Sequence, residues 1–200
     1  MAVTRECFEQ GMTLEAYRQQ MTRNRDAFEA NEQKLVLGPE DIEPFTRLPQ
    51  PLNVLVLAED WCTDVIDNLP VLGRLAAASG KLNVRVFLRD QNTDLADQFL
   101  KDGQFRSIPV FAFFDQDFHE VGRFIERPAS VTTRRAEIRS KLCAEHPEFG
   151  TPETPISQLP EDVRVRLMQL MAERRETTKA EDNRDVIRAL REIVERVHVK

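Results

Sequence analysis

The residues best placed to do chemistry are Trp61-Cys62-Thr63-Asp64-Val65, which follow directly on the apolar run Val54-Leu55-Val56-Leu57-Ala58. A cysteine where a buried strand gives way to a helix is set up for thiol–disulfide exchange. The thiolate is the nucleophile, and the macrodipole and free amides of a helix N-terminus stabilise it. Exchange completed within one chain needs a second cysteine to resolve the mixed disulfide, and the compact arrangement puts it three residues on. Val65 occupies that place. The pattern points to sulfur chemistry at Cys62 and away from a local dithiol cycle.

Each neighbour of Cys62 admits two readings. Trp61 is either an apolar contact surface beside the thiol or a partly buried packing residue, and the contact surface is preferred. Asp64 would oppose a thiolate two residues away. Equally, an acid in the first helical turn is simply favourable there by about 0.3–1 kcal/mol, and that reading is preferred. Glu59, Asp60 and Asp64 together predict an acidic rim around the sulfur. Such a rim disfavours anionic partners unless Arg89, Arg106 or Arg123 compensates.

Cys7 and Cys143 are the remaining thiols. Either one acting as a distant resolver would make a dithiol reductase; two unrelated thiols is the simpler reading. No CxxC or HxxxH pair seeds a zinc site, and His119, His146 and His198 are dispersed. Cys143 and His146 share a predicted helix at i,i+3 but have no further ligands beside them. Neither a metal nor a cofactor is expected.

Composition narrows the classes. With 41% apolar residues the chain has enough for a sizeable core. A formal net charge of −6 leaves no basic excess to replace phosphate counterions, which argues against nucleic acid as a partner. No apolar run approaches the roughly 20 residues of a membrane span. Met1–Phe8 lacks the long apolar core of a secretory signal, so the cytoplasm is the expected location.

On either side of the cysteine, Asn53–Ala58 reads as a buried strand and Thr63–Ala78 as the helix after it. Gly80 stops that helix and Pro70 lies within it. Leu82–Leu88 is a second strand, parallel to the first through a right-handed crossover. Thr93 caps a helix reaching Lys101, and Gly103 follows. Val110–Phe114 and His119–Ile125 form a hairpin around Asp115-Gln116-Asp117. The aromatic residues Phe99, Phe105, Phe111, Phe113, Phe114, Phe118 and Phe124 are assigned to core packing. Ser130 or Thr132 starts a helix toward Cys143. Upstream, Leu14, Tyr17, Met21 and Phe28 predict one amphipathic helix from Thr13 to Lys34, then a short helix over Glu40–Leu48. Two further helices are predicted over Glu161–Arg175 and Asp182–Val197.

This order resembles the thioredoxin superfamily. Trp61-Cys62, Pro70 eight residues beyond the cysteine, and Ser107-Ile108-Pro109-Val110 before the third strand carry the likeness. Gly11-Met-Thr-Leu-Glu-Ala-Tyr, Ala58-Glu-Asp-Trp-Cys-Thr-Asp, Asn68-Leu-Pro-Val-Leu, Leu88-Arg-Asp-Gln-Asn and Arg106-Ser-Ile-Pro-Val are similar to a bacterial subgroup in which Trp-Cys-x-Asp replaces the two-cysteine motif. The resemblance implies an α/β thioredoxin-like fold, a central mixed four-stranded sheet flanked by helices, with N-terminal and C-terminal helical extensions. The likeness to the subgroup covers roughly Gly11 to Pro128; with Pro147, Pro152, Pro155 and Pro160 marking a linker, the chain is read as an N-terminal extension at 1–50, a core at 51–145, a Pro-rich linker at 146–160 and a C-terminal helical extension at 161–200. The resemblance makes Cys62 the attacking (catalytic) cysteine and Pro109 a cis-proline facing it. Trp61, Thr63, Asp64, Ile108 and Pro109 form the substrate-binding set, with the Ile108-Pro109 backbone offered to an extended peptide. Val56 stands where thioredoxins carry a buried proton-relaying carboxylate.

Two functions follow. The first is monothiol redox chemistry, in which Cys62 forms mixed disulfides with a protein or small-molecule thiol and an external thiol resolves them. The other is a non-catalytic protein-binding module on the same fold. Retention of Trp61-Cys62 and Pro109 favours the first; Val65 and Val56 favour the second.

Overall fold

A computed structural model describes residues 3–199; Met1, Ala2 and Lys200, with the side chains of His198 and Val199, lie outside the described residues. Strands β1 (Leu52–Ala58), β2 (Leu82–Leu88), β3 (Val110–Phe114) and β4 (Glu120–Ile125) form one mixed sheet in the order β2-β1-β3-β4. β1 runs parallel to β2 and antiparallel to β3, and β3 pairs antiparallel with β4. Every residue of β1 and β3 is buried. A strand covered on both faces must be apolar throughout, which is why both read as unbroken runs rather than alternations.

The described residues also form nine α-helices: α1 (Arg5–Glu9), α2 (Leu14–Gln20), α3 (Arg25–Lys34), α4 (Pro39–Thr46), α5 (Thr63–Ser79), α6 (Thr93–Ala96), α7 (Ala129–Glu145), α8 (Glu161–Glu176) and α9 (Lys179–Glu195). α5 crosses from β1 to β2 and continues through Pro70 to Gly80, whose φ of 63° supplies the left-handed C-cap. The chain divides into two compact units: residues through Arg127 together with those from Val186 onward, and residues 128–185. In the first, Val186, Ile187, Leu190, Ile193 and Val194 of α9 join the same core as the sheet. In the second, Leu142, Cys143, Phe149 and Leu167 form a separate small core. There Arg134 is ion-paired with Asp182 at 2.7 Å, with Glu181 at 3.0 Å and with Asp185.

Three local expectations are corrected. The predicted helix from Thr13 to Lys34 is two helices, α2 and α3, broken at Met21–Asn24. Thr13 does cap α2, accepting from the Ala16 amide at 3.1 Å. The apolar face persists across the break, since Tyr17, Met21 and Phe28 are all buried. What breaks the helix is a remote acceptor: the Asp60 carboxylate takes the Thr22 and Arg23 amides at 2.7 and 3.0 Å. Hydrogen bonds to a charged group stabilise by about 1.5–3 kcal/mol each, enough to outweigh a turn of helix.

The predicted helix from Thr93 to Lys101 ends at Ala96 and passes into a 3-10 turn, Asp97–Phe99. Asp97 is drawn to Arg106 by two hydrogen bonds of 2.6 and 2.8 Å, and Lys101 pairs back with Phe105. Phe105, assigned to the core, is instead 58% exposed at the end of that loop.

The N-terminal segment also adds a short edge contact to β2, with Met12 and Val86 exchanging hydrogen bonds of 2.9 and 2.8 Å. Gly11 permits it, because a Cβ there would lie 2.6 Å from the Phe87 ring and 2.8 Å from the Arg85 Cβ.

Candidate functional site

β1 delivers the chain to Glu59-Asp60-Trp61, and Cys62 is the N-cap of α5 with extended backbone (φ −85°, ψ 117°). The Ile66 amide bonds back to the Cys62 carbonyl at 3.1 Å, so the helix begins at the cysteine itself. Cys62 is half-buried, and its thiol donates to the Ile108 carbonyl at 3.5 Å. The Ile108–Pro109 peptide bond is cis. Two segments 46 residues apart in sequence thereby meet at one sulfur.

The surroundings of the sulfur set its acidity. Burial pushes the Cys62 thiol above its ordinary value, and the charge of Asp64 adds to this. The amides of Val65 and Asp64 and the charge of Arg89 pull the other way, without a full cap hydrogen bond to the side chain. Desolvation therefore outweighs the helix N-terminus, and the thiol is the resting form.

The residues around it divide clearly. Trp61 is 42% exposed, with the Arg89 guanidinium 5.0 Å above its ring. Arg89 also donates to the Arg106 carbonyl at 3.1 Å, linking the Trp61 side of the site to the loop before Ile108. Thr63 is exposed; Asp64, Ile108 and Pro109 are buried. The Pro109 carbonyl accepts from the Glu126 amide at 2.7 Å. Val65, at the place of a resolving thiol, and Val56, at the place of a relaying carboxylate, are both fully buried. Cys7, Cys62 and Cys143 are all free thiols. No group of three metal-ligating side chains occurs among the described residues.

The expected acidic rim is not a free rim. Glu59 is buried and accepts from the Asp90 amide at 2.8 Å, while burial raises its carboxyl above the usual range. For Asp60 burial also pushes upward, but the Thr22 and Arg23 amides and the Thr22 hydroxyl overcome it and hold the carboxyl low. Asp64 is paired with Arg127. Each carboxylate is engaged by a donor, and the signal missed in the sequence was Arg127, since a buried acid at a helix start demands a cation from somewhere. Tyr17 was also missed. Its spacing places it on the apolar face of the helix, yet its hydroxyl is buried with no partner among the described residues, and burial, then the charges of Asp60 and Glu59, push its ionisation up.

Comparison with known proteins agrees with this architecture. A thioredoxin family model matches residues 11–139, which include the sheet, α5 and the Ile108-Pro109 loop. No curated protein matches the chain. Among solved structures, an HIV epitope scaffold is similar at a TM-score of 0.64 and 19% identity, over 97% of this chain and 98% of that one. A protein of unknown function from Pseudomonas aeruginosa is similar at a TM-score of 0.59 and 20% identity, over 86% of this chain and 96% of that one. At such identities the two structures speak for the fold alone. The matched family, the mixed sheet and the helix that Cys62 begins together show that the chain belongs to the thioredoxin family.

Proposed function

We propose that the protein carries out thiol–disulfide exchange through the single cysteine Cys62, as a member of a Trp-Cys-x-Asp subgroup working in a reducing compartment such as the cytoplasm. The supporting observation is the contact between the Cys62 sulfur and the Ile108 carbonyl, beside exposed Trp61 and at the start of α5. That contact brings the half-buried sulfur against the Ile108-Pro109 backbone, with exposed Trp61 beside it.

The chemistry balances as two exchanges. The Cys62 thiolate attacks one sulfur of a mixed disulfide R–S–S–R′, forming Cys62–S–S–R and releasing R′–S⁻, which takes up a proton. A protein or low-molecular-weight thiol then attacks the R sulfur, gives up its own proton, and frees Cys62. With Val65 at the resolving place this second thiol must come from outside the motif.

One observation favours a second reading, a thioredoxin-fold module that binds extended peptides without exchange: burial holds Cys62 as a thiol. Turnover of a peptide mixed disulfide by the wild type and Cys62→Ser separates the two. Loss of turnover in Cys62→Ser is expected; equal turnover refutes exchange at Cys62.

A further inference from the structure

An open groove of about 450 Å³ lies beside the candidate site, lined by Arg89, Asp90, Thr93, Phe105, Arg106 and Ser107. Ser107 precedes Ile108, whose carbonyl meets the Cys62 sulfur at 3.5 Å, so the groove begins next to that contact. Arg89 joins it to Trp61, lying 5.0 Å over the indole ring while donating to the Arg106 carbonyl at 3.1 Å. The groove is thereby continuous with the surface around the thiol.

The charges along this surface are already balanced. Arg89 holds Asp90 at 2.7 Å, and Arg106 holds Asp97 through two bonds of 2.6 and 2.8 Å. Arg123 holds Glu120 through two bonds of 2.6 Å. These are the three arginines that could compensate the acids around Cys62, and each is bound to an acid of its own. An incoming carboxylate gains only what it displaces, so an anionic small thiol finds no charge here to recognise it.

What the groove does offer is apolar surface. Phe105 lines it and Trp61 lies behind Arg89, and both rings are exposed. Exposed aromatic side chains next to a reactive group gain most when a partner covers them. The Phe105 ring is not carried on a loose segment. Lys101 and Phe105 exchange backbone bonds of 2.8 and 3.0 Å, and the Gln104 amide bonds to the Lys101 carbonyl at 3.0 Å. A closed loop of this kind loses little freedom on binding.

We propose that this groove is the specificity subsite of the exchange reaction, taking a large apolar side chain beside the reacting cysteine of an extended protein partner, with Phe105 as the residue that selects it. This rests on the reading of Cys62 as a thiol that exchanges disulfides. An extended chain advances roughly 3.3 Å per residue, so the side chain accepted here lies one or two places from the partner's cysteine. The incoming disulfide is then a protein's, and a small anionic thiol is the poorer substrate.

The test uses the terminally blocked peptides Ala-Leu-Cys-Leu-Ala and Ala-Ser-Cys-Ser-Ala, and glutathione, each activated as its 2-thiopyridyl disulfide. The Cys62 thiolate attacks the peptide sulfur, forms Cys62–S–S–peptide and releases pyridine-2-thiolate, which takes up a proton and is followed by absorbance. Rates with Cys62→Ser are subtracted. Each difference is divided by the iodoacetamide alkylation rate of Cys62 in the same protein, which cancels any change in the thiol itself. The Leu peptide is expected to load about tenfold faster than the Ser peptide, as partial burial of an apolar side chain implies, and faster than glutathione. Phe105→Ser, whose fold thermal unfolding checks, is expected to bring the Leu peptide down to the rate of the Ser peptide. Equal rates for the two peptides in the wild type, a Leu advantage retained in Phe105→Ser, or glutathione loading as fast as the Leu peptide overturns the proposal.

Should no disulfide load Cys62, the exchange reading fails and the groove is read by binding instead. Trp61 is the single tryptophan of the chain, so its fluorescence reports on the surroundings of Arg89. The same two peptides, with Ser in place of Cys, are titrated against it. Tighter binding of the Leu peptide, lost in Phe105→Ser, is expected; equal binding, or none, overturns the groove.

Discussion

The Arg127 guanidinium is paired with the Asp64 carboxylate, so a buried charge in the first turn of α5 is neutralised from just beyond the end of β4. Arg127 also holds Glu126 at 2.7 Å, and Glu126 holds Lys101 at 2.5 Å. Through its backbone Glu126 reaches both halves of the site. Its amide donates to the Pro109 carbonyl at 2.7 Å, and its carbonyl accepts from the Asn68 side chain of α5 at 2.8 Å. Residues 126 and 127 thus tie the cysteine helix to the proline loop.

Removing Arg127 leaves the Asp64 carboxylate buried without its cation. Arg127→Ala is expected to destabilise the protein by about 3 kcal/mol in urea unfolding. Asp64→Leu combined with Arg127→Met removes both charges and keeps apolar volume, so it is expected to recover most of the loss. A double variant no more stable than Arg127→Ala would show that the pair does not act as a unit.

The charge of Asp64 also acts on the sulfur. It disfavours the Cys62 thiolate, so Asp64→Asn is expected to lower the thiol pKa, whereas Arg89→Gln is expected to raise it. A shift of about half a unit changes the thiolate fraction near pH 7.5 by about threefold. Alkylation rates at that pH read both directions. Equal rates in the two variants would mean that neither charge reaches the sulfur.

Asp60 links pH to stability. Its carboxyl is held below the ordinary value of 3.8 by the amides it accepts from. A carboxyl depressed in the folded state contributes stability above its unfolded pKa and loses it as pH falls through the folded one. Asp60→Ala is expected to cost about 2 kcal/mol near pH 7. The difference from wild type should shrink as pH drops below about 4, which unfolding midpoints across that range would measure.

How much of this was legible in the sequence depended on the range of each interaction. β1 and α5 were readable because their determinants are local: an unbroken apolar run, and a helix stopped by Gly80. The meeting of Cys62 with Ile108 was legible only through resemblance, since nothing in either segment alone names the other. The break between α2 and α3 was invisible because Asp60, its cause, lies 38 residues beyond Thr22. Arg127 was hidden for the same reason, 63 residues from its partner. Tyr17 was masked by its own apolarity: its spacing fits a core face, and only the structure shows a buried hydroxyl with no hydrogen-bond partner among the described residues.

The missing resolver offers the most direct functional test. Val65 is fully buried in the first turn of the helix that Cys62 caps, and its amide bears on the Cys62 sulfur. Val65→Cys puts a second thiol at that place for a loss of about 1 kcal/mol in packing. The variant is expected to resolve a mixed disulfide on Cys62 internally, releasing R–SH without added thiol and leaving a disulfide inside the motif. The wild type should hold the same mixed disulfide until an external thiol is supplied. Mass spectrometry of the two proteins after a single loading distinguishes the outcomes. A mixed disulfide equally persistent in both would mean that the Val65 position does not face the Cys62 sulfur, and the proposed need for an external thiol would require another cause.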